Sequence, residues 1–382
     1  MRVILYNVNS FGGNFEYALM LHLEYSRHPL VEKVTLVMPE NAGSSAGSAT
    51  RFLMTDKPAF KNKYLRKLHF VYRSFINPLR FYRFLKTAEP SVVIFNDFEQ
   101  LSAIWWSTLF LKLKAKHKFG VILHDPDRDR YFANTWLSRY TMKKVMRIMD
   151  VAIYHGYLPN RSYYNNKAIK LKVPHGIYPP GTYDKEFATQ LKSASSGRTV
   201  LGVIGNIRRE KNYDVIISAL PQLPSFQLLV AGSRSNSSVD TADYLELIRE
   251  HDLHDRVTWK EKYLTDGELN AAIETCDIIL LYYNASFVSQ SGILNKIAPY
   301  RKKVIVSDSS SSLNQAVVEF GLGIIVPESN VAALAEGIKR LVLTDQEKIN
   351  RGWGRYIATA SWERNVALTL SAFNNIPMPG IR

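Results

Sequence analysis

Short apolar, β-branched runs recur along this chain, each followed by a helical pattern, in two consecutive series. In the first, strands are predicted at Arg2–Tyr6, Val34–Met38, Ser91–Phe95, Phe119–Leu123, Val151–Tyr154 and Ile169–Val173. In the second they are predicted at Thr199–Ile204, Phe226–Ala231, Arg256–Trp259, Ile278–Tyr282, Val304–Ser307 and Gly323–Val326. Runs that are apolar throughout, rather than alternating, belong to strands buried on both faces, hence to parallel sheets covered by crossover helices. The 382 residues exceed one core and suit two such α/β domains. The polar, small-residue segment Gly181–Gly197 reads as the linker between them. Domains are therefore expected at 1–180 and 198–360. In such sheets ligands sit beyond the carboxyl ends of the strands, so two of them facing each other would line a cleft.

Other features narrow the classes. The single cysteine, Cys276, excludes an internal disulfide framework and a multi-cysteine metal site, and reads as a small buried apolar residue. The longest strongly apolar stretch, Leu101–Leu111, has 11 residues, against roughly 20 for a bilayer span. The apolar start of MRVILYNVNSFGG is too short for a signal peptide, so a cytoplasmic protein is expected. Asn41–Thr50 is a low-complexity, mobile-loop sequence. The formal charge of +15 is uneven: residues 1–190 hold 28 Lys+Arg against 14 Asp+Glu, and residues 191–382 hold 21 against 20. An anionic partner for the first half is one reading, and an incidental imbalance the other.

The strongest local signal is Gly205-Asn206-Ile207-Arg208-Arg209-Glu210-Lys211-Asn212, between a strand and a helix. Glycine permits a tight turn close to a ligand, a helix start offers free N–H groups, and three cations in one turn suit a diphosphate. A solvated basic loop is the bland reading. Arg208 and Lys211 are the cations that would meet such an anion, and both are expected to be exposed. His124 and Asp125 follow the apolar run FGVIL, and Asp97 and Glu99 follow SVVIF. A histidine there is either structural or a ligand contact at the end of a strand, and Asp97, Glu99 and Asp125 are the candidate general bases if the chemistry needs one. In Asp125-Pro126-Asp127-Arg128-Asp129 the alternating acids invite a metal, but the flanking Arg128 and Arg130 favour a salt-bridged loop.

A strand, then G-x-I-R-x-x-K, then a helix resembles the diphosphate loop of GT-B glycosyltransferases of family 4. Ser10-Phe11-Gly12-Gly13-Asn14 resembles that family's first glycine-rich loop, His124-Asp125 its histidine motif, and Pro174-His175-Gly176-Ile177 the element closing its first domain. Ser289-Gln290-Ser291-Gly292-Ile293-Leu294 resembles its sugar and phosphate loop, followed by Val304–Asp308, Gly321–Pro327 and the helical Val331–Leu341. Ser361-Trp362-Glu363 resembles the start of its terminal helix, which returns over 361–382 to the first domain. The resemblance spans almost the whole chain and implies a GT-B fold, two Rossmann-like domains across a cleft. It implies a retaining, metal-independent hexosyltransferase with no cofactor, taking a nucleoside-diphosphate sugar as donor. Gly13, Arg208 and Lys211 would bind diphosphate, and Gln290, Ser291, Gly292, Ile293, Asn295 and Tyr263 the sugar and nucleotide. His124, Asp125 and Asp97 would be catalytic. The chain departs from the family in lacking the paired glutamates, since no acid stands between Asp277 and Asp308. Asn295-Lys296-Ile297 occupies the second glutamate's place, as in a subset with a Q-S-G loop. Asn206 stands where an arginine usually follows the loop glycine, and Arg208 is its replacement.

The basic half has a focus. Arg51–Lys86 carries ten Lys+Arg and one acid, Asp56, interleaved with aromatics from Phe60 to Phe84. Nucleic acid, an anionic bilayer and an ordinary domain face are the readings. With the resemblance, the bilayer is favoured, with Lys61, Lys63, Arg66 and Lys67 as its contacts, a glycan or lipid-linked acceptor, and a peripheral place on the inner face of the cell membrane. No nucleic-acid module is recognisable. Rival functions are a sugar-nucleotide epimerase or hydrolase on the same fold, and a non-catalytic nucleotide-sugar or glycan-binding protein. A dinucleotide oxidoreductase is disfavoured because Gly12-Gly13 lacks G-x-G-x-x-G.

Overall fold

A computed structural model describes residues 1–43, 50–129, 131–235, 239–285, 287, 291–309 and 311–376. The chain divides into two units, Met1–His175 joined by the segment from Trp362, and Gly176–Ser361. Unit 1 runs β1 (Arg2–Tyr6), α1 (Gly13–Arg27), β2 (Lys33–Pro39), β3 (Thr50–Leu53), α2 (Lys63–Thr87) and β4 (Val92–Phe95). It continues with α3 (Ala103–Leu111), β5 (Lys118–Leu123), α4 (Thr135–Met146), β6 (Val151–Tyr154) and β7 (Ile169–Lys172). Its seven parallel strands are ordered β3-β2-β1-β4-β5-β6-β7. The order reverses between β1 and β4, and the loops after those strands diverge to leave a crevice at their carboxyl ends.

Unit 2 begins with α5 (Lys185–Ser195), β8 (Thr199–Ile204), α6 (Tyr213–Ala219), β9 (Phe226–Gly232), α7 (Ala242–Glu250), β10 (Val257–Glu261) and α8 (Asp266–Thr275). It continues with β11 (Ile278–Leu281), α9 (Gly292–Ile297), β12 (Lys303–Ser307), α10 (Ser312–Phe320), β13 (Gly323–Val326), α11 (Val331–Val342) and α12 (Gln346–Thr359). The sheet order β10-β9-β8-β11-β12-β13, all parallel, puts the reversal between β8 and β11. The last helix, α13 (Trp362–Asn374), belongs to unit 1.

Three features differ from the sequence reading. The segment expected to be a linker is mostly α5. Asp184 caps it by accepting from the Phe187 N–H, and Phe187, Ala188 and Leu191 are buried in the core of unit 2. Its polar residues are the solvent face of an amphipathic helix. A seventh strand, β3, pairs with the edge of unit 1 at the end of the low-complexity segment, whose residues 44–49 lie outside the described structure. Its sequence, TRFL, is too short and polar to announce a strand.

The third is α2, 25 residues long with Pro78 inside it. Proline has no N–H, so the Ser74 carbonyl loses its helical donor. The Ser102 hydroxyl donates to that carbonyl instead, and both serines are buried. The Asn77 Oδ1 accepts from the Met54 N–H at 2.8 Å, so this stretch of helix is pinned to the unit from two sides. Of the aromatics in the basic segment, Phe81, Tyr82 and Phe84 pack in the core, while Phe60, Tyr64, Phe70, Tyr72 and Phe75 are exposed. Cys276 is fully buried; burial pushes its thiol up to about 12, and it packs where a Gly202 side chain would stand.

Candidate functional site

In unit 2 the loop after β8 turns at Gly205, whose φ of 89° favours glycine. A side chain there would also meet Ile293 Cδ1 at 2.8 Å, so the first residues of α9 rest directly on the turn. The fold thereby brings the Gly205–Asn212 loop and residues 291–293 together at the reversal between β8 and β11. A Gly232 side chain would stand 2.2 Å from the Gly205 carbonyl oxygen, so the ends of β8 and β9 close to backbone contact. On the other flank, Tyr283 stacks on Phe287 with centroids 4.0 Å apart, and its hydroxyl lies 3.1 Å from Ser291 Oγ. The Asn284 N–H donates to the Glu210 carbonyl at 2.8 Å, tying the loop after β11 to the loop after β8.

Arg208 is exposed, as expected. Lys211 is not: it is buried, and its ammonium donates to the carbonyls of Ile204 at 2.9 Å and Gly205 at 3.3 Å. Burial, and then the charge of Arg208, pull its pKa down to about 7. Gly292 is exposed, with open space where a side chain would project, and Ile293 is half-buried. Ser291 is buried, and Gln290 lies outside the described residues. Asn295 is fully buried and its Oδ1 accepts from the Tyr356 hydroxyl at 2.6 Å, while its Nδ2 has no partner among the described residues. It stands in the core rather than on the surface where a glutamate could reach a ribose. Tyr263 is exposed just beyond β10, two strands from β8. An open cavity of ≈ 670 Å³ beside α6 and α7 is lined by Asp214, Asp240, Asp243, Glu246 and Glu250, against Arg209. Its carboxylates repel a diphosphate.

In unit 1 the residues after β1, β4, β5 and β6 form a connected polar cluster. The Asn96 Nδ2 donates to Asn7 Oδ1 at 2.9 Å and to the Asn14 carbonyl at 2.8 Å, and Asn96 Oδ1 faces His124 Nε2 at 3.1 Å. His124 therefore carries its proton on Nε2 and a lone pair on Nδ1. Burial, then the neighbouring His155, His175 and Arg128, hold its pKa well below the ordinary histidine value. So weak a base hydrogen-bonds a hydroxyl without deprotonating it. His155 donates from Nδ1 to the Val173 carbonyl at 3.1 Å, and burial brings it down to about 4. Tyr17 packs against His124, His155, His175 and Trp362, with centroids 4.8–5.3 Å away.

Asp97 accepts from Asn9 at 2.6 Å, Asn14 at 3.3 Å and the Phe98 N–H at 2.8 Å, and is partly exposed. Asp125 is exposed. Glu99 is buried, and both its oxygens lie 2.9 Å from the Tyr6 hydroxyl. Burial raises it to about 7, against the pull of Tyr6 and Arg73. A carboxyl enclosed in this way braces the loop rather than meeting a substrate. Asp127 pairs with Arg161 and Asp129 with Arg139, each at 2.6 Å, so two of the alternating acids are salt-bridged by arginines distant in sequence, and Arg130 lies outside the described residues. Arg128 lies over the rings of Phe98 and Tyr131 instead. Gly13 opens α1, exposed, after Gly12 at φ 81°. Ser10 is fixed by Asp56, which accepts from its N–H at 2.7 Å and its hydroxyl at 2.6 Å. Lys61, Lys63, Arg66 and Lys67 are all exposed around the start of α2. Asn7, Asn96, His155, Tyr17, Tyr283 and Phe287 were not singled out by sequence. Asn7 and Asn96 directly follow strand runs, the one signal that marked them.

Residues 184–359 match the family model of glycosyl transferases group 1. A D-inositol 3-phosphate glycosyltransferase of Mycolicibacterium smegmatis is 22% identical over 199 residues, 52% of this chain and 44% of that protein, so the match spans less than half of that relative. Two solved structures share the fold across nearly the whole chain. HepE of Anabaena in complex with UDP has a TM-score of 0.70 at 12% identity, covering 98% of this chain and 100% of that one. Sucrose-phosphate synthase of Thermosynechococcus elongatus has a TM-score of 0.68 at 17% identity, covering 98% of each. The fold is GT-B, with two Rossmann-like parallel-sheet domains.

Proposed function

Given that residues 184–359 match the family model of the group 1 glycosyl transferases, we propose that this protein moves a hexose from a nucleoside-diphosphate sugar to a glycan or lipid-linked acceptor. Unit 2 binds the donor and unit 1 the acceptor. The observation that carries the reading is the junction of Gly205, Lys211 and Ile293 at the sheet reversal of unit 2. There a glycine turn, a buried cation and the start of α9 meet at one point. The exposed Arg208 and the ammonium of Lys211 stabilise the diphosphate as its charge grows, which is worth most when the donors are already in place. A leaving group stabilised by cations needs no metal, and the configuration of the sugar is retained. His124, neutral, accepts from a hydroxyl of the sugar or acceptor, and the partly exposed Asp97 and exposed Asp125 orient that acceptor. The basic unit 1 meets a lipid-linked acceptor at an anionic membrane on its cytoplasmic side. No described helix is long and apolar enough to cross that membrane.

A thermal-shift series with nucleoside diphosphates and their sugars tests donor binding, since a ligand of the folded state raises its midpoint. UDP comes first, because the Anabaena HepE structure holds it. Gly292→Val is the informative variant, since the fold has room for the side chain there. The expected result is an unchanged midpoint without ligand and a lost shift with it. A normal shift removes Gly292 from the donor site. Turnover unchanged by EDTA and a product of the donor's anomeric configuration are also expected. Rearranged or hydrolysed donor without transfer would favour the epimerase or hydrolase, and binding without turnover the non-catalytic reading.

A further inference from the structure

Among the described residues, little covers the first half of α2. Residues 63–68 and 70–72 are exposed, and burial begins at Arg73. Arg73, Asn77 and Phe81 seat the helix on unit 1. Tyr64, Leu68 and Tyr72 each precede one of them by nine residues, about two and a half turns at ~3.6 residues per turn, so they face directly away from the unit. They are 79%, 64% and 56% exposed. Val71 and Phe75 lie on the same side, and the Phe75 ring stands 6.0 Å from Trp105 of α3, which is itself exposed. The two helices together present one outward apolar stripe.

The surroundings of the stripe decide what covers it. Lys63 and Lys67 flank it, Arg66 lies on the opposite face of the helix, Lys57 and Lys61 precede it, and α2 contains no Asp or Glu. The one acid of the segment, Asp56, is taken by Ser10 and Asn41. Tyrosine and tryptophan rings suit a boundary that is apolar on one side and wet on the other. Lysine and arginine stems reach from such a boundary toward phosphate. The pinning at Pro78 and Ser102 fixes the buried half of the helix, so the outer half is held out from the unit.

We propose that α2 lies in the plane of an anionic bilayer, with Tyr64, Leu68, Tyr72 and Phe75 inserted at headgroup level and the neighbouring cations on lipid phosphates. The inference deepens the membrane part of the reading above and rests on it. It adds that binding requires insertion as well as charge.

The experiment uses the full chain and vesicles of phosphatidylcholine with or without phosphatidylglycerol, across a salt series. Tyr64→Ser/Leu68→Ser/Tyr72→Ser removes apolar surface that the fold does not use. Lys61→Glu/Lys63→Glu/Arg66→Glu/Lys67→Glu reverses the charge. Wild-type protein is expected to pellet with anionic vesicles at low salt, and lipid-chain bromine is expected to quench fluorescence that Trp105→Phe removes. The apolar triple variant should lose at least tenfold in partitioning even at low salt, and the charge variant should lose most of its salt dependence. Circular dichroism and the donor thermal shift should be unchanged in both. Wild-type partitioning by the triple variant would overturn insertion while leaving charge-driven membrane contact standing. No difference between the two vesicle types, or no binding to either, would overturn the membrane reading itself. A concentration-dependent dimer abolished by the triple variant would make the stripe a contact between copies, and also overturn the proposal.

Discussion

Lys211 is a cation in a place that disfavours charge. Its ammonium is buried against two carbonyls, and its pKa lies at about 7. An unfolded lysine titrates near ~10.4, so between pH 7 and 10 the unfolded chain binds more protons than the folded one, and stability without ligand rises with pH through that window. A bound diphosphate reverses the preference, because it favours the charged form. Donor binding is therefore expected to take up a proton above pH 7 and to weaken by up to about tenfold per pH unit. Calorimetry at pH 8 in buffers of different ionisation enthalpy measures that proton directly. Lys211→Met should flatten the pH dependence, and Arg208→Ala should lower affinity while keeping it. The two loop cations also differ in what they do for the fold. Lys211→Ala leaves two carbonyls without their donor and should cost about 1–3 kcal/mol, whereas the exposed Arg208 can be removed with little change in midpoint.

Helix α2 shows how one side-chain hydroxyl can substitute for a missing backbone donor. Pro78 leaves the Ser74 carbonyl without its N–H, and Ser102 supplies one from outside the helix. Ser102→Ala should cost about 1–3 kcal/mol by stranding a buried acceptor. In a Pro78→Ala background the same change should cost far less, because the helix then satisfies Ser74 itself. A double-mutant cycle by chemical denaturation reads that coupling, and additive effects would mean that Ser74 finds another donor. The same helix shows what a sequence does and does not display. The strands were legible because Val3–Tyr6 or Val203–Ile204 are buried whatever surrounds them. The exposure of Tyr64 and the burial of Phe81 were not, since both are aromatic residues in one basic, amphipathic run. Only the position of the unit beneath the helix separates them. The segment of α5 misled for the opposite reason: Phe187 and Leu191 are few among polar neighbours, yet they suffice to seat one face. At the site, the loop after β8 could be recognised from its residue types, but the folding of Lys211 back onto the end of β8 and the packing of Asn295 against Tyr356 of α12 are contacts that no local pattern encodes.

At the scale of the molecule, unit 1 is completed by α13. Asn365 of that helix donates to the Tyr17 hydroxyl at 2.9 Å and the Pro174 carbonyl at 2.8 Å. Lys118 of β5 donates to the Phe373 carbonyl at 2.8 Å, and the Phe373 ring fills the space above Gly120. Phe373→Ala should cost about 3–5 kcal/mol. Scanning calorimetry should show the loss in the melting of unit 1 only, while the transition that nucleoside diphosphate raises stays in place. A shift of both transitions together would mean that the units melt as one. The same arrangement has a consequence on the ribosome. Domains ordinarily fold in the order in which they are made. Here the first 175 residues emerge first, but the helix that closes their core is made only after the whole of unit 2. Unit 2, continuous in sequence, reaches its native state while unit 1 is still waiting, and of these two units the one made earlier is finished later.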